Sequence, residues 1–221
     1  MNLDQSIQDP TADHGPTGVY KSFYEAFDWL NAALFDSELP DVVITMQRQR
    51  GARGYFSEKR FGQRHGDDVA DEIALNPSTF ADRTDREIIS TLLHEMAHEW
   101  QDHFGNPGRG RYHNKQWASK MIELGLMPSH TGEPGGKKTG DRVSHYIIEG
   151  GPFAREWEAL EASGYTLDYQ DRARDQATKP KKSIAKYVCP GCEFVVRGEP
   201  GHRLICLICE LEMPSSDQCA K

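Results

Sequence analysis

The stretch His94-Glu95-Met96-Ala97-His98 decides how the rest of the chain is interpreted. On an α-helix, residues four apart lie about one turn apart on the same side, so His94 and His98 can hold one metal ion together. Glu95 lies about 100° around the helix, where its carboxylate can reach a metal-bound water without being a ligand. The pattern predicts a zinc site with a general base. Two solvated histidines on an amphipathic surface helix are the alternative.

The flanking residues favour a helix from Asp85 to Phe104. Thr84 and Glu87 form a T-x-x-E capping box at its start. The Gly-Asn-Pro-Gly run at 105–108 ends it. Apolar residues recur every four positions within it, namely Ile88, Leu92, Met96 and Trp100. This context favours the zinc interpretation over the surface helix.

A zinc hydrolase needs a third protein ligand and leaves its fourth position open for water. The extended metzincin motif would require glycine at position 101 and histidine at position 104. The chain has Gln101 and Phe104 there, which excludes that subclass. The third ligand must therefore come from elsewhere in the chain.

A second helix, predicted from Arg111 to Leu124, carries two candidates for the third ligand. His113 is followed at intervals of four by Trp117 and Met121, so it shares the face that this helix would bury. Glu123 lies about 280° around from it and points away. We therefore predict His113 as the third ligand, with an ordinary structural histidine as the alternative.

The run H-E-M-A-H-E-W-Q at 94–101 and the segment Tyr-His-Asn-Lys-Gln-Trp at 112–117 resemble the SprT-like metalloprotease domain. That family includes the Spartan proteases, which degrade proteins crosslinked to DNA. Its third zinc ligand is a histidine that opens the helix after the H-E-x-x-H helix, followed by an aromatic residue, as His113 and Trp117 are here. The resemblance covers roughly Val19 to Met213. It implies an α+β, zincin-like metalloprotease domain, but it does not explain residues 129–177.

All five cysteines lie in the last 33 residues. Cys189-Pro-Gly-Cys192 and Cys206-Leu-Ile-Cys209 form two C-x2-C pairs separated by 13 residues. Four thiolates give a closed, structural zinc site, and two disulfides are the alternative. The polar first 18 residues lack the apolar segment of a signal peptide, and a cytosolic chain keeps its thiols reduced. We therefore predict a zinc ribbon, hence two zinc ions per chain, with Cys219 as a free thiol.

Composition bounds the class of protein and its organisation. The 221 residues carry a net charge of −8, which argues against a globally basic nucleic-acid binder. No apolar run approaches the length of a membrane span. We predict a disordered lead at 1–17, the metalloprotease domain at 18–178, and a basic linker with the zinc ribbon at 179–221. The predicted location is cytoplasmic, nucleoid-associated if the source is bacterial, with no membrane partner.

Two local basic clusters are candidates for binding single-stranded or structured DNA, an interpretation that rests on the resemblance to the SprT-like family. One runs from Arg48 to Arg64, and the other runs from Lys179 to Lys186 into the ribbon. Aromatic residues are interleaved in the first cluster, namely Tyr55, Phe56 and Phe61. Such a pattern can grip phosphates and stack on exposed bases. A solvated loop and a flexible basic linker are the alternatives.

The remaining periodicity predicts a helix from Val19, strands at 42–46, 54–57 and 70–76, and a helix at 153–163. Residues 73–76 are the predicted edge strand, where a substrate peptide would pair through its main chain. His130 and His145 could lie near the cleft, but surface or core roles are favoured for both.

These features together predict a zinc-dependent endopeptidase of the SprT-like type that acts on DNA-associated or DNA-crosslinked proteins. Zinc-bound water would attack the peptide carbonyl, with Glu95 as general base. Tyr112 and Tyr146 are only candidates for stabilising the oxyanion. Two alternatives remain, a catalytically silent DNA- or protein-binding module and a metallohydrolase of small molecules. The presence of Glu95 counts against the first, because a scaffold needs no base.

Overall fold

The computed structural model describes residues 18–110, 112–167, 171 and 184–215. The chain divides into two compact units, Met1–Ala173 and Arg174–Lys221, which are described separately. The predicted lead at 1–17, the predicted boundary at 178/179 and Cys219 all lie outside the described residues. The first unit contains runs of helices and runs of strands, so the predicted α+β class is confirmed.

The described part of the first unit contains four α-helices and five strands. In chain order these are α1 (Gly18–Leu34), β1 (Val42–Met46), β2 (Gly54–Gly62), β3 (Val69–Leu75), α2 (Asp85–Phe104), α3 (Lys115–Glu123), β4 (Leu126–Ser129), β5 (Ser144–Ile147) and α4 (Pro152–Ala162). No helix among the described residues is long and apolar enough to cross a lipid bilayer.

Helix α2 has the predicted bounds because its start is fixed locally. The Thr84 side chain accepts a hydrogen bond from the Glu87 N–H, and the Glu87 carboxylate accepts one from the Thr84 N–H at 2.8 Å. The helix is buried on more than one side, with Leu92 and Met96 wholly inaccessible and His94 only 8% exposed. The alternative of a solvated surface helix is therefore wrong.

Strands β1, β3 and β2 form one sheet in that order, with β1 parallel and β2 antiparallel to β3. The prediction that residues 73–76 form an edge strand is wrong, because β3 is paired on both sides. Strand β2 is the edge beside β3 among the described residues. It is longer than predicted, and its register shifts between Ser57 and Phe61, where Lys59 adopts a positive φ of 45°.

Helix α3 begins at Lys115, later than the predicted start at Arg111, a residue that itself lies outside the described part. Asn114 caps the helix, because its side chain accepts a hydrogen bond from the Trp117 N–H at 3.0 Å. A capping residue has extended rather than helical backbone, so His113 lies before the helix and not on its face. The helical-face argument for His113 is therefore wrong in its geometry.

The core of the first unit is assembled from α1, α2, α3, α4 and the three-stranded sheet. Its largest fully buried side chains include Phe23, Leu30, Ile73, Leu75, Leu92, Trp117 and Phe153. Strands β4 and β5 form an antiparallel hairpin after α3, and α4 packs against α1. Residues 126–162, most of which the family resemblance left unexplained, thus complete this core.

The second unit is built from two short hairpins. Strand β6 (Ala185–Val188) pairs with β7 (Val195–Gly198), and β8 (Leu204–Cys206) pairs with β9 (Leu211–Met213). Its core is small, consisting of Ala185, Tyr187, Cys189, Cys206 and Met213. So small a core needs further stabilisation, and a structural metal is the usual source in modules of this size.

Candidate metal centres

The structure brings His94, His98 and His113 together in the first unit. Each ring contributes one nitrogen atom to a cluster in which the three nitrogens lie within 4.8 Å of one another. The His98 and His113 ring centroids are 4.8 Å apart, and those of His94 and His98 are 5.3 Å apart. Helix α2 supplies two of the rings one turn apart, as its spacing predicts, and the segment before α3 supplies the third.

A backbone bridge, rather than a helix, positions His113. Its N–H donates to the Gly140 carbonyl at 2.9 Å, and the Gly140 N–H donates back to the His113 carbonyl at 3.1 Å. The His113 Nδ1 lies 3.0 Å from the same Gly140 oxygen. An Nδ1–H donating to that carbonyl leaves Nε2 with its lone pair available for a metal. Glu123, the other candidate ligand, is exposed and pairs with Lys120 at 2.8 Å instead.

His145, on β5, is a residue of this site whose importance the sequence did not show. It is buried, and its Nδ1 lies 3.0 Å from the Nδ1 of His94, while its Nε2 lies 2.9 Å from Ser90 Oγ. Ser90 in turn donates to the carbonyl of Glu87 at 2.8 Å. These contacts allow one consistent set of donors. Ser90 Oγ donates to the helix backbone and accepts from His145 Nε2–H, and His145 Nδ1 then accepts from His94 Nδ1–H. His94 would then keep its Nε2 available as a ligand.

The three clustered histidines are held in the neutral form that binds metals. Burial, followed by the nearby rings and Arg53, lowers the pKa of His94 well below its usual range. Burial and then His113 lower the pKa of His98 to about 3. Burial is also the main cause of the lowered pKa of His113. A neutral imidazole has the free lone pair that coordination requires, so this donor set fits zinc.

Trp117 is the shared packing surface for the three rings. It is fully buried, and its ring centroid lies 4.4 Å from that of His113, 4.8 Å from that of His94 and 5.0 Å from that of His98. The His98 ring stacks on it at an interplanar angle of 20°. Trp117 therefore restricts the orientation of all three histidine rings.

Glu95 is buried on α2 and lies against the first residue of β2. A Cβ built on Gly54 would lie 3.0 Å from Glu95 Oε1 and 2.9 Å from the Ala74 carbonyl oxygen. Glycine therefore lets the edge strand approach the carboxylate more closely than a residue with a side chain could. This contact places the start of the β2 edge beside Glu95.

The four cysteines of the second unit also converge. The sulfur atoms of Cys189, Cys192, Cys206 and Cys209 lie within 4.8 Å of one another, and all four thiols are free. The backbone N–H of Cys192 is the main cause of the lowered pKa of Cys189, about 7. A Cβ on Gly191 would lie 3.1 Å from Cys209 Sγ, so glycine leaves room for this sulfur atom at the turn. The cluster fits a zinc site, and none of these four cysteines forms a disulfide.

The predicted basic clusters are only partly described. In the first cluster, Arg48 pairs with Asp171 at 2.7 Å and Arg60 lies 3.8 Å from Glu72. Lys59 and Arg60 lie within β2, so the alternative that this cluster is a loop is wrong for them. A groove of about 530 Å³ runs along this part of the sheet, lined by Gln47, Arg48, Gln49, Tyr55, Phe56, Ser57 and Arg60.

The second basic cluster falls mainly outside the described residues, which exclude Lys179, Lys181 and Lys182. The described part retains Lys186, which is exposed and lies directly opposite Arg197 across the β6–β7 hairpin. Phe194 is 60% exposed beside β7. Arg203 is paired with Glu212 at 2.8 Å.

Two comparisons with known proteins bear on the first unit. The sequence profile of the SprT-like family matches residues 23–133, half of the chain. A protein of Salmonella typhimurium, named "Uncharacterized protein in mucB 3'region", is 43% identical over 55 residues, which make up 25% of this chain and 74% of that protein. The matched profile segment contains the three clustered histidines and Glu95, and it ends before His145.

Proposed function

The chain belongs to the SprT-like family, and on that premise we propose that it is a zinc-dependent endopeptidase with a zincin-like fold that acts on DNA-associated proteins. The single observation that carries the proposal is the convergence of His94, His98 and His113 within 4.8 Å, with Glu95 next to one of them on the same helix. Neutral imidazoles, a base and a nearby strand edge are the parts that metal-assisted peptide hydrolysis requires.

The residues of the first unit divide the catalytic work. When bound, zinc would acidify a water molecule and polarise the peptide carbonyl. The Glu95 carboxylate would accept a proton from the attacking water and later deliver it to the nitrogen of the leaving amine. His145 would hold the His94 ring in one tautomer, and the Gly140 carbonyl would do the same for His113.

The edge of β2 supports a peptide rather than a small molecule as substrate. The strand begins at Gly54, beside the Glu95 carboxylate, and its outer edge lacks a partner strand among the described residues. An extended peptide can pair with such an edge through main-chain hydrogen bonds, which makes binding largely independent of side-chain sequence. A protease that cleaves many different proteins needs such sequence-independent binding.

The second unit supports contact with DNA. Lys186 and Arg197 are exposed cross-strand neighbours on the hairpin, and Phe194, whose ring is also exposed, lies directly before β7. Two cations can contact neighbouring phosphates, and an exposed aromatic ring can stack on an unpaired base. We propose that this hairpin binds single-stranded or structured DNA and thereby brings DNA-bound proteins to the protease.

Replacing Glu95 by glutamine tests the catalytic half of the proposal. Because no histidine is removed, Glu95→Gln should retain its zinc while protein cleavage falls by at least the ~10²–10⁴-fold that general-base catalysis supplies. The measurements are digestion of an unfolded protein and zinc content by elemental analysis. Normal turnover by Glu95→Gln would refute the assignment, and an inactive wild-type protein with bound zinc would favour the silent binding module.

The DNA half is tested by reversing two charges on the ribbon. Lys186→Glu with Arg197→Glu should weaken binding to single-stranded DNA and flatten its salt dependence by about 0.7 in log–log slope for each lost phosphate contact. A matched variant, Lys21→Glu with Lys138→Glu, makes the same change in net charge on exposed residues of the first unit and should leave binding unchanged. Equal loss in both variants would show a general charge effect instead of a DNA-binding face.

A further inference from the structure

A second cluster of metal-ligating side chains lies along α2, beyond the Glu95 position. Asp71, Glu99 and His103 each place one donor atom within 4.8 Å of the others. Glu99 and His103 are four residues apart, so they share one side of α2, and Asp71 approaches them from β3. None of the three belongs to the histidine or cysteine centres described above.

Ordinary packing does not explain Glu99. Its side chain is completely buried, and neither carboxylate oxygen has a hydrogen-bond partner. An unpartnered carboxyl group in the interior is costly, and it indicates that an ion, a water molecule or a proton completes its surroundings.

The surroundings of this carboxyl favour a cation. Asp71 accepts the Lys59 backbone N–H at 2.6 Å and lies 2.6 Å from His103 Nε2, so no positively charged lysine or arginine is paired with it among the described residues. Two further acidic residues, Glu58 and Asp102, lie nearby, since burial, then Glu58 and to a smaller degree Asp71 raise the pKa of Asp102. The His103 side chain is 33% exposed, which gives an ion a route from solvent.

We propose that Asp71, Glu99 and His103 form a third metal site, for a divalent cation such as Mn²⁺ or Zn²⁺. Two carboxylates balance the charge of a dication, and the combination of oxygen and imidazole donors suits these two metals. The ion supplies the partner that the Glu99 oxygens lack, and it ties α2 to β3. Asp71 also accepts the Lys59 N–H. The ion therefore stabilises the part of β2 where the register shifts between Ser57 and Phe61.

Binding of Mn²⁺ to the full-length, zinc-loaded protein tests the site, because the paramagnetic resonance signal of free Mn²⁺ falls when the ion binds. We expect one Mn²⁺ per chain and a higher Tm with the ion. Glu99→Gln and His103→Gln should each weaken binding by at least about tenfold, the lower range seen for groups that merely orient a ligand. Glu58→Gln removes a neighbouring exposed charge but no ligand, so it should leave the stoichiometry intact.

Two results would overturn the proposal. One is a wild-type protein that binds no Mn²⁺ and contains no third zinc; a raised Tm of the Glu99→Gln variant would then show that a proton satisfies Glu99. The other is wild-type affinity in the Glu99→Gln variant. If Glu99→Gln does not fold, His103→Gln decides, because its partly exposed side chain contributes less to packing. These readouts do not depend on proteolysis, so they stand apart from the test of Glu95.

Discussion

Replacing His145 by phenylalanine should weaken zinc binding at the histidine centre without removing any ligand. The substitution keeps a ring in the buried site but deletes the 3.0 Å contact to His94 Nδ1 and the 2.9 Å contact to Ser90 Oγ. In the metal-free protein the His94 ring can turn or change tautomer. A ring bound through Nε2 must keep its proton on Nδ1, so the loss falls mainly on the zinc-bound form.

The size of this effect follows from burial. Leaving a buried donor without a partner costs about 1–3 kcal/mol. Since about 1.4 kcal/mol corresponds to a tenfold change in affinity, zinc binding should weaken about 5- to 150-fold. That range agrees with the 10- to 100-fold losses typical for residues that orient metal ligands.

Cobalt substitution can measure the two predicted zinc centres separately, because thiolate and imidazole ligands give Co²⁺ different absorption bands. Competition with a chelator should show weakened binding at the histidine centre and unchanged binding at the cysteine centre. Ser90→Ala, which removes only the outer contact of His145, should give a smaller loss. Unchanged affinity at the histidine centre of His145→Phe would refute the reasoning, and equal loss at both centres would indicate general destabilisation.

Three further predictions concern the same architecture. Gly54→Ala should lower proteolytic turnover about tenfold to 100-fold with zinc content unchanged, because the new methyl group displaces the proposed base. Gly62→Ala, in the same strand, adds its methyl group to open space and should have little effect. Steady-state kinetics of the two variants test this prediction. Trp117→Ala should lower the free energy of unfolding by about 3–5 kcal/mol in urea denaturation, since it empties a fully buried site. The double variant Cys189→Ser, Cys206→Ser should retain one high-affinity zinc centre instead of two, as measured by elemental analysis. Amide exchange should show that only the ribbon unfolds. Retention of both zinc ions would contradict the cysteine centre.

The helix that carries His94 and His98 could be predicted to the residue because its determinants are local. The Thr84–Glu87 capping box and the four-residue apolar spacing act within a few residues of each other. The start of α3 was predicted wrongly although a local signal exists. Asn114 is a favoured capping residue, and giving weight to it would have moved the helix start beyond His113.

Features that depend on distant pairing were not predicted. The position of β3 in the middle of the sheet depends on parallel pairing with β1, about 30 residues earlier, and parallel partners leave no turn signal between them. The contact of His145 with His94 joins residues 51 positions apart. A lone histidine gives no periodicity that would distinguish this role from an ordinary core position.

The bridge between His113 and Gly140 has a consequence for biosynthesis. A chain emerging from the ribosome can form α2 early, because its contacts are local, but the segment holding the third ligand is fastened only after Gly140 has emerged. The contact between His94 and His145 forms later still, when β5 pairs with β4. The order of synthesis thus delays completion of the centre until nearly the whole first unit can fold, so an incomplete chain would lack the proposed protease activity.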